Sequence, residues 1–330
     1  MKGQRFAVLD GMRGIAALAV LWWHAGYGFG AAVYPRHGYL AVDFFFGLSG
    51  FVLAHAYARA IADGLGFWDF ARRRLVRLYP MILAGGVLGA LAFCPGWDGG
   101  AAKLLWFNAS SFLLLPFGLA FGAGSFPVNI PIWSLFFEFC ANAVFWVAYR
   151  GQGRAARGVV LWAVAVVLLG AIAHLAGGLR NVGVSSVVAF LAGFPRVAVS
   201  FTAGVLIYRH GLHERLPRLP DVYAALALAG LLAVPECGWW YDMMCVVAVF
   251  PLLLCLGAQA RETKALHPLW YGAGALSYPL YVIHEPVLRA VYRLQGGALA
   301  AMGLAVLLAW ALLRFYDAPV RRWLGRAAAY

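Results

Sequence analysis

Charge is the scarcest property of this 330-residue chain: only 12% of its residues are Asp, Glu, Lys or Arg, while 64% are hydrophobic. Soluble domains carry about 25% charged and about 45–50% apolar residues, so a sizeable water-exposed domain is not expected. Acidic groups are rarer still, 13 against 26 basic ones, for a net charge of +13. Cysteine is thin and scattered. Cys94, Cys140, Cys237, Cys245 and Cys255 form no CxxC pair, which argues for small buried hydrophobes and against a disulfide framework or a metal centre. There is no fixed-period repeat of the kind inverted-repeat transporters carry, no low-complexity tract beyond alanine-rich helix, and no tidy cleavage site after the first apolar run.

What the chain has is long apolar runs that recur evenly. Segments of about 17–25 apolar residues can span a bilayer, and they lie near 7–25, 39–58, 79–95, 132–149, 159–176, 188–208, 221–236, 241–258, 269–291 and 299–316. The expectation is an all-α polytopic membrane bundle of about ten transmembrane helices, one domain over 1–330 with no appended soluble domain. The stretch 104–121 holds Asn108, Ser110, Ser111 and Pro116 among glycines and is expected to be re-entrant or interfacial.

With both termini in the cytoplasm, the 26 basic residues sort unevenly. Eighteen fall inside: Lys2, Arg5, Arg59, Arg72, Arg73, Arg74, Arg77, Arg150, Arg154, Arg157, Arg209, Arg215, Arg218, Arg261, Lys264, Arg321, Arg322 and Arg326. Only Arg36, Lys103, Arg180 and Arg293 fall outside, and Arg13, Arg196, Arg289 and Arg314 lie within spans. Basic inner loops are what orient a polytopic protein. They account for the positive charge with a lipid bilayer, and no nucleic acid, as partner.

Polar groups inside the spans then stand out. Arg13 and His24 are eleven residues apart on the first span, three turns and about 20° of rotation, so both lie on one face about 16 Å apart. A guanidinium in hydrocarbon costs about 2.5–3.5 kcal/mol on insertion scales, which favours a functional site facing the bundle interior. Asp43, Glu138 and His284 are expected at the same outer-leaflet depth as His24. Arg73 and Arg77, four apart, are expected to share a face at the inner mouth, where guanidinium forks suit phosphates. Each has a plainer reading: a positive-inside signal for the arginines, an interfacial histidine at position 284, and helix pairing through Asp43, Ser49 and Gly50. Trp22, Trp23, Trp133, Trp239 and Trp240 fit an interfacial aromatic belt.

Taken together these segments resemble the acyltransferase 3 family of membrane enzymes that acylate carbohydrates and other hydroxyls. The resemblance rests on Leu9-Asp10-Gly11-Met12-Arg13-Gly14 running to His24, on Ala41-Val42-Asp43-Phe44-Phe45-Phe46-Gly47-Leu48-Ser49-Gly50-Phe51, and on Arg73 and Arg77 before Tyr79-Pro80. It continues through Trp133-Ser134-Leu135 with Glu138, Ser277 to Pro286, and Asp317-Ala318-Pro319. The family's second carboxylate after W-S-L is absent, since Phe139 and Cys140 follow Glu138.

The resemblance implies an inner-membrane O-acyltransferase that moves an acyl group, usually acetyl, from acyl-CoA to a saccharide or lipid-linked glycan. Acyl-CoA is then a co-substrate, with no tightly bound cofactor. It implies His24, Arg13, Asp43 and Glu138 as catalytic groups. Arg73, Arg77 and Tyr79 become donor-binding residues, and Ser49, Trp133, Ser134, Arg196, Tyr281 and His284 substrate-pocket residues. His24 would be the general base, oriented by Asp43 or Glu138, with Arg13 at the thioester oxyanion; an acyl-histidine relay is the variant. The competing class is a transporter or flippase of a glycan or lipid intermediate, since intramembrane Arg, His and acidic residues also mark solute paths.

Overall fold

The structure, a computed structural model, describes residues 6–30, 34–94, 99–150 and 155–327. Lys2, Arg5 and Arg154 lie outside the described residues, as do the side chains of Arg157 and Arg326. Helix follows helix: α1 (Ala7–Phe29), α2 (Ala41–Ala62), α3 (Phe67–Phe93), α4 (Ala101–Leu113), α5 (Ile132–Arg150), α6 (Ala155–Ala176), α7 (Val187–Leu191), α8 (Gly193–Arg209) and α9 (Asp221–Ala233). Then come α10 (Trp239–Met244), which runs through a π turn into α11 (Phe250–Gln259), α12 (His267–Arg293), and α13 (Ala298–Leu312), which runs through the π turn Leu313–Asp317 into α14 (Ala318–Ala327). Among the described residues there is no strand; an isolated bridge joins Pro220 to Arg261.

Among the described residues, seven stretches are long and apolar enough to cross a membrane, built on α2, α3, α5, α6, α7–α8, α10–α11 and α13–α14. The other three expected spans are helical but fall short of that standard. Polar groups interrupt α1 and α12, and α9 has 13 residues. The stretch expected to be re-entrant forms α4, also 13 residues and too short to cross. Of the seven, the α2 stretch is 72% buried, whereas α6 and the α13–α14 stretch are 17% buried. An apolar helix with so little protein around it satisfies its outward side chains only in lipid.

Glycines decide which helices touch closely. A Cβ on Gly14 of α1 would lie 2.5 Å from the Ala273 Cβ of α12, and one on Gly274 of α12 would lie 2.6 Å from the Asp10 Cβ of α1. Between α2 and α8, a Cβ on Gly50 would meet the Phe201 carbonyl oxygen at 2.0 Å, and one on Gly204 the Gly47 oxygen at 1.9 Å. Small residues at such crossings let backbones approach where hydrocarbon offers no hydrophobic drive.

Two prolines, Pro279 and Pro286, lie inside α12. Proline has no N–H, so Pro286 leaves the carbonyl four residues back without its helical donor. That carbonyl, Val282 O, instead accepts from Asn129 Nδ2 at 2.9 Å, and a buried asparagine thereby repairs the helix.

The crossings make a direct prediction. Gly204→Ala should cost about 1–3 kcal/mol through overpacking against backbone, read as a lower melting temperature of the detergent-purified protein. Gly230→Ala on α9, where an added Cβ meets nothing within 4 Å, is the control. Equal melting of both variants would show that the α2–α8 contact does not need its glycine.

Candidate active site

Among the described residues, two of the cavities adjoin inside the bundle, and Val42 and Tyr281 line both. The first, about 350 Å³, has His24, Trp23, Trp133, Arg180, Asn181 and Arg196 among its walls. The second, about 290 Å³, is lined by Arg13, Ser49, Arg74, Arg77, Glu138 and Ser277, among others. Tyr281 stands at the partition, its hydroxyl 2.7 Å from Ser134 Oγ and its ring edge-on to Phe45 at 5.5 Å.

At the first cavity the α1–α12 crossing brings two histidines together. His24 Nδ1 lies 3.0 Å from Val20 O and 3.1 Å from His284 Nε2, while His284 Nδ1 lies 2.7 Å from Tyr281 O and 3.2 Å from Leu280 O. A carbonyl can only accept, so both Nδ1 atoms carry the hydrogen. The neutral arrangement that satisfies all four contacts has His24 Nδ1–H shared between Val20 O and the lone pair of His284 Nε2. His24 Nε2 then keeps its own lone pair. His284, fully buried, sits behind His24 and sets its ring.

Arg13 and His24 do share the α12-facing side of α1, but they serve different cavities. Arg13 donates from Nε to Ser277 Oγ at 2.8 Å and from Nη2 to Gly274 O at 2.6 Å, and pairs with Asp10 at 3.2 Å. These partners lie on α12 and on its own helix.

The expected layer of four ionisable groups does not form. Asp43 takes Arg196 in a two-pronged pair, Nε to Oδ1 at 3.0 Å and Nη2 to Oδ2 at 2.6 Å, with both side chains at most 1% exposed. Arg196 Nη1 also donates to Leu179 O and Val182 O, and its guanidinium lies 5.3 Å from the Trp133 ring centre. Glu138 Oε1 accepts from Arg74 Nη2 and Ser49 Oγ, both at 2.8 Å. Neither carboxylate orients His24; its imidazole is set by a backbone carbonyl and a second histidine. Trp133 is buried and is no part of an interfacial belt.

The inner arginines also fall differently. Arg77 is exposed and lines the second cavity, whereas Arg73 is exposed and does not line it. Tyr79 donates its hydroxyl to Phe112 O on α4, away from the cavity. The buried arginine is Arg74, which the sequence reading passed over. Its signal was present: Phe70, Arg74 and Leu78 recur every four residues, and all three are buried. Asp317 and Arg321, joined at 2.5 Å, also line the second cavity. Among the described residues no group of three or more His, Cys, Asp or Glu is arranged to hold a metal ion.

Fold and site together describe a multi-pass membrane protein whose polar chemistry is gathered at two adjoining cavities. The chain belongs to the acyltransferase 3 family, whose acyltransferase domain matches residues 6–314, and it is a membrane acyltransferase. It is 28% identical to the acyltransferase MdmB of Streptomyces mycarofaciens, over 98% of this chain and 93% of that protein. It is 37% identical to protein 2 in the picA locus of Rhizobium radiobacter over 184 residues, which is 50% of this chain and 93% of that protein. No solved structure matches.

The Asp43–Arg196 pair yields a test of its own. Removing one partner of a buried pair strands a charge, at about 3–5 kcal/mol. Asp43→Ala should therefore melt far below the wild type, and Asp43→Leu/Arg196→Leu should recover much of the loss. An Asp43→Ala protein that is as stable as wild type would remove the structural role from this pair.

Proposed function

We propose that this acyltransferase moves an acyl group, acetyl being the expected one, from acyl-CoA to a hydroxyl of a cell-envelope saccharide, with His24 as general base. One observation carries the reading. His24 lines a cavity with Nδ1 already committed, so Nε2 has a lone pair ready for a proton. As Nε2 takes the acceptor's hydroxyl proton, the acceptor oxygen bonds to the thioester carbonyl carbon. Collapse of that tetrahedral intermediate breaks the C–S bond, and the departing sulfur takes the proton from the imidazolium to leave as the free thiol. His284 holds the ring as the third member of a triad does, but as a neutral acceptor it orients without supplying a negative charge.

The second cavity is then the donor's, opening to the cytoplasm among the basic residues that begin α3, with Arg77 for phosphate. The pantetheine arm runs past Arg13 and Ser277 toward the partition at Val42 and Tyr281. Arg13, tied to Gly274 O and Ser277, lends a positive field along that path, a role that replaces the expected one at the oxyanion. The first cavity is the acceptor's. Its aromatic walls, including Trp23, Tyr27 and Trp133, with Asn181 among them, suit the apolar faces and hydroxyl edges of a sugar. The enzyme lies in the inner membrane with both termini cytoplasmic, as the basic loops favour.

The test is label transfer from radiolabelled acetyl-CoA to membrane glycolipid fractions by the purified protein. His24→Ala should lower transfer by about 10²–10⁴-fold, the range for a general base, while still purifying as a single species. His284→Leu should lower it less, by about tenfold. Normal transfer by His24→Ala would sink the assignment.

A further inference from the structure

We propose that Arg321, on the last helix α14, binds a phosphate of the acyl donor and is held ready for it by Asp317. The proposal rests on the donor reading of the second cavity. It adds a residue beyond the stretch 6–314 that matches the family.

The cations lining the second cavity are not equivalent. Arg13 is tied to Gly274 O, Ser277 and Asp10, and Arg74 to Glu138. Arg77, by contrast, makes no hydrogen bond or ion pair among the described residues. Arg321 is only partly committed. One of its nitrogens, Nη2, lies 2.5 Å from Asp317 Oδ2, while Nε is shielded from water and donates to no acceptor among the described residues. Its side chain is 31% exposed and that of Asp317 0%, so a buried carboxylate anchors a guanidinium that reaches the edge of water.

The chain's geometry puts this pair at the cavity. Leu313, Asp317 and Arg321 follow one another at four-residue intervals and all three line it. The turn between Leu313 and Asp317 is π-helical, a distortion that is rare in helices and frequent at functional sites. Arg77 of α3 lines the same cavity, and α3 packs against α14.

A guanidinium offers a planar fork of donors that phosphate oxygens accept in pairs. With Nη2 anchored on Asp317 and Nε shielded, the exposed part of the Arg321 guanidinium is left for such an acceptor. A nucleotide-bearing donor such as acyl-CoA carries phosphates to meet it, and a donor cut back to the bare pantetheine arm does not. Arg321 is therefore assigned to discrimination between the two, and Asp317 to positioning it.

The measurement is the ratio of kcat/KM for acetyl-CoA to kcat/KM for acetyl-pantetheine. In Arg321→Gln this ratio should fall about tenfold, the loss of one charge-assisted phosphate contact, and Arg321→Lys should restore part of it. An unchanged ratio overturns the proposal, because damage to the fold alone lowers both activities together. Adenosine 3′,5′-bisphosphate titrated into the same purified proteins gives a second readout that needs no turnover. Tighter binding by wild type than by Arg321→Gln supports the assignment. Equal binding overturns it and leaves the donor reading standing, whereas no binding by wild type overturns both.

Discussion

The close approach of α1 to α12 is the contact on which the rest of the site depends. Gly14 against Ala273, and Gly274 against Asp10, bring the two backbones near enough for side chains to reach across the crossing. At one end of it Arg13 meets Ser277 and Gly274 O; at the other His24 meets His284. Hydrocarbon provides no hydrophobic force to press helices together, so shape and hydrogen bonds must do it. The glycines supply the shape and the polar pairs supply the bonds. The proline that interrupts α12 just past His284 adds a further bond, because it frees the carbonyl that Asn129 fills.

The buried charges obey one rule, that each finds partners before any ligand arrives. Arg196 is locked on Asp43 and on two backbone carbonyls, which ties α8 to α2 and to the loop before α7. Arg74 is locked on Glu138, which ties α3 to α5. Breaking either pair would strand a charge in a medium that cannot solvate it. Committed carboxylates hold the frame, and the His24 imidazole bonds through Nδ1 alone among the described residues.

Much of this was legible in the sequence. The helical bundle follows from apolar runs of bilayer length, and most site candidates lie in the walls of one cavity or the other: Arg13, His24, Ser49, Arg77, Trp133, Ser134, Glu138, Arg196 and Tyr281. Partnership was not legible. Depth along a helix can be estimated from residue number, but azimuth relative to other helices cannot, so Asp43, Glu138, His24 and His284 looked like one layer. The run Arg72-Arg73-Arg74 shows the same limit. Three adjacent arginines point in three directions about 100° apart, and the apolar stripe of Phe70 and Leu78 was the clue that the middle of the bundle takes Arg74.

Sequence by itself determined the class of molecule. Scarce charge, long apolar runs and the spaced motifs of the acyltransferase 3 family leave room for little else, because local composition decides whether a segment prefers lipid to water. Only the tertiary structure decided who meets whom. It gave His24 a histidine instead of a carboxylate, and it put Arg13 and His24 on opposite sides of the partition at Val42 and Tyr281. The physical reason is that hydrogen bonds and ion pairs act over about 3 Å. Which groups come within that reach is set by how helices far apart in the chain rotate and cross, and no single segment encodes that.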